Sequence, residues 1–569
     1  MRLEKVVIHN FRGIIDESFI AKEFTLLVGA NNGGKSTVVD AIRAFYEKDG
    51  FKFKRERDWP VAGAKDEESW IHLSFICSPE EYDSLAEEYR IGENRLDVRK
   101  YFSVAPKEKV FKAGSIYGVG KDGKLSSDHF YGAKNVQQGK FGQVVYIPAV
   151  SRVDEHTKLT GPSALRDLLT NILEDVVESS SAFNDLRTHF SHFASSVKSE
   201  ATADGRSLQS FEEDLTGMLS SWDASFQISI DSPKPADIIK NLVRYECVDQ
   251  AIGKPQSADD FGSGFQRHFI FSLIRIAPKF ISKGVTTKAK DFVPDFTLIL
   301  FEEPEAFLHP PQQEILADSL RQLTNDSSRQ VLCTTHSSHF VSKNSDVIPA
   351  LVRLKRTDGL VSLSQVSSEA WKDILDSNQL LNQLPSLKKE VDDDDLAPTM
   401  ESLKYFLWLN ADRSTLFFAN HVLLVEGPAD QAIINRLVKD RLIAAPPGGV
   451  YVLDCLGKFN IHRFMGLLIR LSISHSVLHD EDEPNEKHEE VNQLIRDTAD
   501  SELTYHIEAL PKNLEVVLGI PSCRPHRKPQ HVMYYYETGQ IADDQLDGFC
   551  EMVGRCMPTV VSGDDQAVA

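Results

Sequence analysis

Two groups of residues in this 569-residue sequence have the types and spacing needed for phosphate chemistry. The first is the run Gly29-Ala-Asn-Asn-Gly-Gly-Lys35-Ser36, which lies between an apolar stretch, Phe24–Val28, and a helical pattern, Lys35–Phe45. In that setting glycines let backbone N–H groups surround phosphates, lysine neutralises the outer phosphates, and the serine hydroxyl reaches Mg²⁺. The run satisfies GxxxxGK[ST] and predicts an ATP site formed by Gly29, Asn32, Gly33, Gly34, Lys35, Ser36 and Thr37.

Carboxylates that could complete this ATP site stand far downstream. The apolar stretch Thr297–Phe301 ends at Glu302 and Glu303. A strand that delivers acids at its carboxyl end can present one to Mg²⁺ and another to the attacking water, so we assign Glu302 to the metal and Glu303 to the water. His336 follows a further apolar stretch, Gln330–Cys333, and can contact a terminal phosphate, although a single histidine is more commonly structural.

The second group consists of acids placed after apolar strands. Glu426 follows a run that ends at Val425, and Asp430 falls four residues later at the start of a helical pattern. Asp480 and Asp482 follow another apolar run, and alternate residues of an extended chain share a face. Converging carboxylates repel unless cations are bound, and ligands that are all oxygen suit Mg²⁺ or Mn²⁺. The alternative is a solvated acidic loop, because more acids follow.

The elements that must position these residues indicate an α/β protein with more than one domain, since the chain is too long for one core. Between 163 and 222 the pattern becomes helical, with an apolar face that belongs either to the core or to a dimer contact. A polar stretch around Asp392–Pro398 is interpreted as a linker. The predicted boundaries are 1–160 and 236–390 for two parts of an ATPase domain, 161–235 for a helical insertion, 391–415 for the linker and 416–569 for a second α/β domain.

Composition narrows the class of protein. Seven cysteines include no CxxC pair, which favours neither a zinc site nor a disulfide framework. No apolar run reaches the length of a membrane span and the first residues form a strand pattern, so we expect a cytoplasmic protein without a membrane partner. The net charge of −21 weighs against a broadly basic surface, yet local basic clusters at 52–57 and 524–528 could hold a nucleic-acid backbone.

Four motifs together resemble the ABC-type ATPases of the SMC-like DNA-repair branch. Besides the two ATP-site segments and His336, they include Ser263-Gly264-Phe265-Gln266, similar to that family's signature motif. The turn Asn10-Phe11-Arg12-Gly13 is also similar to one common in that branch. In such ATPases the signature motif of one subunit closes over the nucleotide of another. The resemblance therefore implies that Ser263 acts in trans and that the protein is a homodimer or a higher homo-oligomer. No glutamine of the Q-loop type is identified.

The downstream acids resemble the EGxxD and DxD elements of a Rossmann-like TOPRIM domain. With the lead-in Phe417–Pro428 and the ATPase, they resemble the OLD (overcoming lysogenisation defect) nucleases. That family includes the nuclease subunit of the Gabija phage-defence system and nucleases attached to retrons. The resemblance implies a set of metal-binding acids and one catalytic lysine: Glu426, Asp430, Asp480, Asp482, Glu515 and Lys528.

By this resemblance the chain is a nucleotide-regulated, divalent-metal-dependent DNA endonuclease of antiviral defence. Glu426, Asp480 and Lys528 would serve DNA cleavage, and Glu303 would serve ATP hydrolysis. Family partners are a reverse transcriptase with its RNA–DNA product, or a helicase-like protein. The alternative is an ATP-driven DNA-binding or scaffolding protein that does not cut, which the intact acids disfavour. A topoisomerase or primase would need a nucleophilic tyrosine or a zinc element that the sequence does not display.

Overall fold

The computed structural model describes most of the chain outside residues 150–296. Its described residues are 1–47, 50–106, 110–131, 141–149, 180–203, 205–219, 224–235, 297–306, 308–342, 345–379, 386, 398–446, 448–483 and 485–558, with short stretches between 173 and 296.

Strands outnumber helices in the N-terminal part, whereas strands and helices alternate from residue 421 to residue 510. The strands are β1 (Arg2–Phe11), β2 (Ile14–Ile20), β3 (Phe24–Val28), β4 (Ser69–Ile76), β5 (Arg95–Ser103), β6 (Ile116–Val119), β7 (Leu125–His129), β8 (Gln143–Ile147), β9 (Cys247–Asp249), β10 (Lys254–Gln256), β11 (Thr297–Glu302), β12 (Arg329–Thr334), β13 (Leu351–Thr357), β14 (Leu360–Gln365), β15 (His421–Val425), β16 (Tyr451–Asp454), β17 (Ser474–Asp480) and β18 (Thr504–Leu510). The helices are α1 (Lys35–Tyr46), α2 (Arg55–Asp58), α3 (Pro79–Ser84), α4 (Ser181–Ser199), α5 (Leu208–Leu219), α6 (Pro310–Leu323), α7 (Ser368–Asn378), α8 (Pro398–Trp408), α9 (Pro428–Lys439), α10 (Ile461–Arg470), α11 (Glu486–Thr498), α12 (Leu514–Val517), α13 (Lys528–Glu537) and α14 (Asp543–Arg555).

The N-terminal part contains a mostly parallel sheet in the order β14-β13-β3-β12-β11-β8. β13, β3, β12 and β11 run parallel, and every residue of β3 is buried, as expected for strands covered on both faces. The carboxyl ends of parallel strands meet at one edge. That edge therefore brings together the loop after β3, Glu302 at the end of β11, and the segment after β12.

An antiparallel sheet, in the order β2-β1-β4-β5-β6-β7, packs with α1 and the parallel sheet around one apolar core. The buried face of α1 contributes Val38, Val39, Ile42 and Phe45. Burying a side chain of this kind is worth about 1.5–3 kcal/mol, so α1 is held firmly behind the loop that precedes it.

The C-terminal part is built on a fully parallel sheet in the order β16-β15-β17-β18. Parallel neighbours need crossover connections, which are provided by α9, α10 and α11. All of β15 is buried, and the strand begins at His421 because residues 413–418 form a 3-10 turn. The apolar stretch from Phe417 to Val425 is therefore a strand only from His421 onward.

Contacts divide the chain into two compact units. One comprises Met1–Tyr146 with Lys290–Ala569, and the other comprises Ile147–Ala289. Within the second unit α4 and α5 are joined by an ion pair of 2.9 Å between Lys198 and Glu212. The first part of the predicted helical face, 163–172, and the linker residues before Pro398 lie outside the described residues. Across the described ranges, no helix combines the length and the apolar character required to traverse a bilayer.

Candidate functional site

The loop between β3 and α1 depends on glycine. Gly29 has φ 142°, and a Cβ there would stand 2.2 Å from the carbonyl oxygen of Leu354 on β13. Gly34 has φ 101°, again in the region that disfavours side chains. The Lys35 ammonium donates to the carbonyl oxygens of Gly29 and Ala30, both at 3.0 Å, and its burial lowers the pKa of Lys35 to about 8. The loop is thus already shaped to receive phosphates.

A cavity of 690 Å³ opens over this loop. Most of the predicted ATP-site residues line it: Asn32, Gly33, Gly34, Lys35, Ser36, Thr37, Glu303 and His336. Gly29 and Glu302 are not among the lining residues. Ser263 lies outside the described residues. The volume and the lining together suit a nucleotide.

Glu302 is buried at the end of β11. Its Oε2 accepts a hydrogen bond of 2.7 Å from the Tyr146 hydroxyl, whereas its Oε1 has no hydrogen-bond partner among the described atoms. The Arg43 guanidinium lies 3.6 Å from the centre of the Tyr146 ring and holds that ring in place. A buried carboxylate oxygen without a partner is costly unless a cation or water uses it. Glu302 therefore fits a ligand of the Mg²⁺ that accompanies a nucleotide.

Glu303 adopts a strained backbone conformation, with φ 44°. Its backbone N–H donates to the Thr334 carbonyl at 3.0 Å, and its Oε1 lies 3.4 Å from Nε2 of His336. Burial, and then the charge of Lys35, lower the pKa of His336 and so favour its neutral imidazole. Strain of this kind is typical of functional positions, and it aims the Glu303 carboxylate at the cavity.

Several cavity-lining residues were not predicted as part of the ATP site, among them Arg12, Arg57, Trp59 and Arg356. Arg12 bridges Asp40 at 2.8 Å and Asp58 at 2.9 Å, whereas its sequence pattern indicates only the turn Asn10–Gly13. Arg57 was placed in a basic cluster for nucleic acid, yet its side chain borders the nucleotide cavity. These residues come from separate segments, so no local sequence pattern indicates that they line one cavity.

The downstream acids converge at the carboxyl edge of the C-terminal sheet. Because β15 and β17 pair in parallel with Val425 opposite Leu478, Glu426 and Asp480 leave neighbouring strands at similar heights. Glu426 Oε1 accepts from the backbone N–H of Asp480 at 2.8 Å, and Asp480 Oδ1 accepts from the Leu514 N–H at 3.1 Å. Asp430 and Glu515, each at the start of a helix, are also buried beside them.

Two lysines lie among these acids. The Lys528 ammonium stands 3.0 Å from Glu515 Oε2 and 3.6 Å from Asp480 Oδ2. The buried Lys458 donates to the backbone carbonyl of Asp480 and, at 2.8 Å, to Oδ2 of Asp482. The position of Lys458 among the acids could not be predicted from the sequence, because a single lysine after a glycine is common. The acids are thus held together by internal cations.

The expectation that Asp480 and Asp482 share a strand face is wrong. β17 ends at Asp480, and Asp482 has φ 65°, so the alternation of an extended chain no longer applies. The Asp482 carboxylate turns to Lys458 and lies 3.0 Å from Nδ1 of His488, while Asp480 faces Lys528.

Burial makes the charged forms of these acids unfavourable. Burial and the charges of Asp480 and Asp430 raise the pKa of Glu426 to about 8. Burial and the charge of Asp430 raise the pKa of Asp480 to about 7, and burial raises that of Asp430 to about 6. Although burial lowers the pKa of Lys528, the charges of Asp480 and Asp430 and its contact with Glu515 raise it above the ordinary value.

The chemistry of this donor set fits a divalent cation. Its ligands are carboxylate oxygens, which Mg²⁺ and Mn²⁺ prefer, and a cation would relieve the repulsion among them. Among the described residues, however, no three histidine, cysteine or acidic side chains are grouped closely enough to hold one metal ion. Lys528 and Lys458 contact the carboxylates that a metal would require, so metal binding must be accompanied by side-chain rearrangement.

The fold and the two sites define a class: an ATPase of the phosphate-loop kind joined to a TOPRIM domain. Residues 1–122 and 107–341 match the family described as AAA ATPase domain. Residues 417–482 match the TOPRIM domain of proteins like the overcoming lysogenization defect protein. The chain therefore belongs to the AAA-type ATPases that carry an OLD-like TOPRIM domain, and the predicted family and α/β fold class are confirmed. These domains imply the use of a nucleotide and a divalent metal.

Three characterised relatives are similar to this chain. The Old nuclease of Escherichia phage P2 is 23% identical over 77% of this chain and 70% of its own length. The OLD nuclease of Thermus scotoductus is 26% identical over 45% of this chain and 47% of its own. Endonuclease GajA of Bacillus cereus is 22% identical over 36% of this chain and 28% of its own. The matched region thus spans less than half of two of these relatives.

The contact between Tyr146 and Glu302 generates a prediction. Tyr146→Phe removes the donor from a buried carboxylate, a loss worth roughly 1.5–3 kcal/mol. We expect ATP hydrolysis to slow by about tenfold or more while ATP binding persists, measured as kcat and nucleotide Kd. Tyr46→Phe is the matched control, because its hydroxyl donates to the Phe141 carbonyl rather than to Glu302. Equal rates for Tyr146→Phe and wild type would contradict the assignment.

A second prediction concerns pH. The pKa values of Glu426 and Asp480 in the folded state lie above the ordinary carboxyl range. In the metal-free protein these acids keep their protons to a higher pH in the folded state than in the unfolded state, so stability falls as the pH rises from about 4 to about 8. A metal binds the deprotonated acids, so we expect Mn²⁺ to raise the Tm more at pH 8 than at pH 5.5. In an Asp480→Ala control, the Mn²⁺-induced increase in Tm should depend less on pH. A larger increase in the wild type at pH 5.5 than at pH 8 would refute the prediction.

Proposed function

We propose that this protein is a nucleotide-regulated, divalent-metal-dependent DNA endonuclease that acts in antiviral defence. The convergence of Glu426, Asp430, Asp480, Glu515 and Lys528 at one sheet edge carries the proposal. The names of the three relatives as nucleases support it.

The chain's own residues divide the work of cleavage. Glu426, Asp430, Asp480, Asp482 and Glu515 would hold Mg²⁺ or Mn²⁺, which when bound activates water and stabilises the leaving oxygen. The Lys528 ammonium, already among the acids, would neutralise charge developing on the scissile phosphate. The exposed cluster Arg524, His526 and Arg527 precedes Lys528 directly and suits the DNA backbone.

In the ATPase site, Lys35 would leave its carbonyl acceptors to hold the outer phosphates, and Ser36 with Glu302 would hold Mg²⁺. Glu303 would accept the proton of the attacking water, with neutral His336 at its side. Ser263 would complete the site of a second copy, which makes the working unit a homodimer or larger. A reverse transcriptase with its RNA–DNA product, or a helicase-like protein, is the defence partner we propose.

The nuclease assignment predicts the effect of one substitution. Asp480→Ala should abolish DNA cleavage, with a loss beyond the roughly 100-fold that changes around a metal site cause. Cleavage of plasmid DNA with Mg²⁺, Mn²⁺ or EDTA measures this, and EDTA should stop the wild type. Glu483→Ala is the control, since that acid of the same loop is exposed and pairs with Lys512. Full activity of a folded Asp480→Ala protein would refute the metal site.

Nucleotide control predicts a second set of outcomes. Lys35→Ala should weaken ATP binding, whereas Glu303→Gln should bind ATP and hydrolyse it about 10²–10⁴-fold more slowly. By resemblance to the Gabija nuclease, we expect bound ATP to restrain cutting, so Glu303→Gln with ATP should cut least. Cleavage without nucleotide, with ATP and with a non-hydrolysable analogue tests this. Identical rates in every condition would show that the sites are uncoupled, and ATP hydrolysis without any cleavage would favour the scaffolding alternative.

A further inference from the structure

Arg353, in the middle of β13, is a buried cation with unusual partners. Its two terminal nitrogens donate to the carbonyl oxygen of Ala419 at 2.8 Å and that of Ser472 at 3.2 Å. Its Nε has no hydrogen-bond partner, and no carboxylate pairs with it within the described part of the chain. Only 3% of its surface is exposed, and this burial lowers the pKa of Arg353 to about 10.

Such an arrangement carries a free-energy penalty. A buried charge normally pairs with an opposite charge, and two carbonyl dipoles offset its lost hydration only partly. Ser472, which supplies one of those carbonyls, has φ 53°, a conformation that costs a non-glycine residue about 1–3 kcal/mol. A guanidinium and a strained turn kept together at this point suggest a purpose other than stability.

The two carbonyls occupy equivalent places in neighbouring strands. β15 and β17 pair from His421 opposite Ser474, and Ala419 and Ser472 each lie two residues before that pair. Arg353 therefore fixes the stagger between β15 and β17 at their starts. The other ends of these strands carry Glu426, ~23 Å from Ala419, and Asp480, ~26 Å from Ser472, at ~3.3 Å per residue. A slip between the two strands would change the separation of these acids.

β13 also lies beside the phosphate loop, which follows β3. Arg353 pairs with Val28, the residue directly before Gly29. The carbonyl oxygen of Leu354 faces Gly29 so closely that no Cβ fits, and Arg356 lines the nucleotide cavity. Three residues of one strand, Arg353, Leu354 and Arg356, thus contact the segments before the two acid-bearing strands, the phosphate loop and the cavity.

We infer that Arg353 is a positioning residue for the nuclease centre: from the strand that flanks the phosphate loop, it sets the stagger of the strands that carry Glu426 and Asp480. This inference rests on the proposed function, and it names the contact through which nucleotide occupancy reaches the acids. A shift of β13 on phosphate binding is passed to Ala419 and Ser472 together.

The test compares the full-length wild type with Arg353→Met, which keeps an unbranched apolar stem and removes every donor. Mn²⁺ binding is measured on nucleotide-free protein, where the acids of the C-terminal sheet are the ligands. We expect Arg353→Met to bind an ATP analogue as the wild type does and to unfold cooperatively. Its Mn²⁺ affinity should fall about tenfold, the scale seen for groups that orient metal ligands, and nucleotide should no longer change its cleavage rate.

Lys355→Met is the matched control, because it removes a half-buried cation from the same strand and should leave Mn²⁺ binding and the nucleotide response intact. Should Arg353→Met fail to fold, Arg353→Lys replaces it. That variant keeps the cation but lacks the planar pair of N–H groups, so it should lose Mn²⁺ affinity in the same direction. Wild-type Mn²⁺ affinity in the Arg353 variants, or an equal loss in Lys355→Met, overturns the inference. A wild type that binds Mn²⁺ without cutting DNA overturns the proposed function alone, and the Mn²⁺ comparison still decides the role of Arg353.

Discussion

The repulsion among buried carboxylates at the carboxyl edge of the C-terminal sheet is the constraint on which the arrangement of the surrounding segments depends. Parallel pairing forces the acids at the ends of β15 and β17 together, and burial withdraws them from water. Lys528 and Lys458 make that crowding tolerable by standing between the acids, each from a separate segment. These contacts connect the segments that carry the acids with those that carry the lysines.

A series of charged and polar contacts also connects residues at the carboxyl edge of the N-terminal parallel sheet. Glu302, Tyr146, Arg43, Asp40 and Arg12 follow one another in contact, from the end of β11 to the turn after β1. Each link neutralises or orients the next, so a change in the charge around Glu302 would be felt at Arg12, which borders the cavity. Tyr146 is also the last residue before the second compact unit, whose chain follows it directly.

Much of this could be predicted because the signals are local. The glycines after β3, the acids after β11 and the acids after β15 stand where short apolar runs end, and strand ends follow from such runs. What could not be predicted arises between distant segments. Lys458, Tyr146 and Arg353 act through tertiary contacts, and none stands in a distinctive pattern. The strand alternation assigned to Asp482 failed because backbone strain at φ 65° overrides periodicity.

The contact of Arg353 bears on whether the chain can be divided. A fragment that begins at residue 416 would contain β15 and β17 but not the guanidinium that bridges Ala419 and Ser472. The carbonyl of Ser472, in a turn with positive φ, would lack its Arg353 donor. No guanidinium would then connect the residues that precede the two strands. The C-terminal sheet has its own apolar core, but an arginine from the N-terminal part binds two carbonyls just before its strands. Exchange of such domains between related chains would therefore have to preserve the contact of this arginine with the two carbonyls.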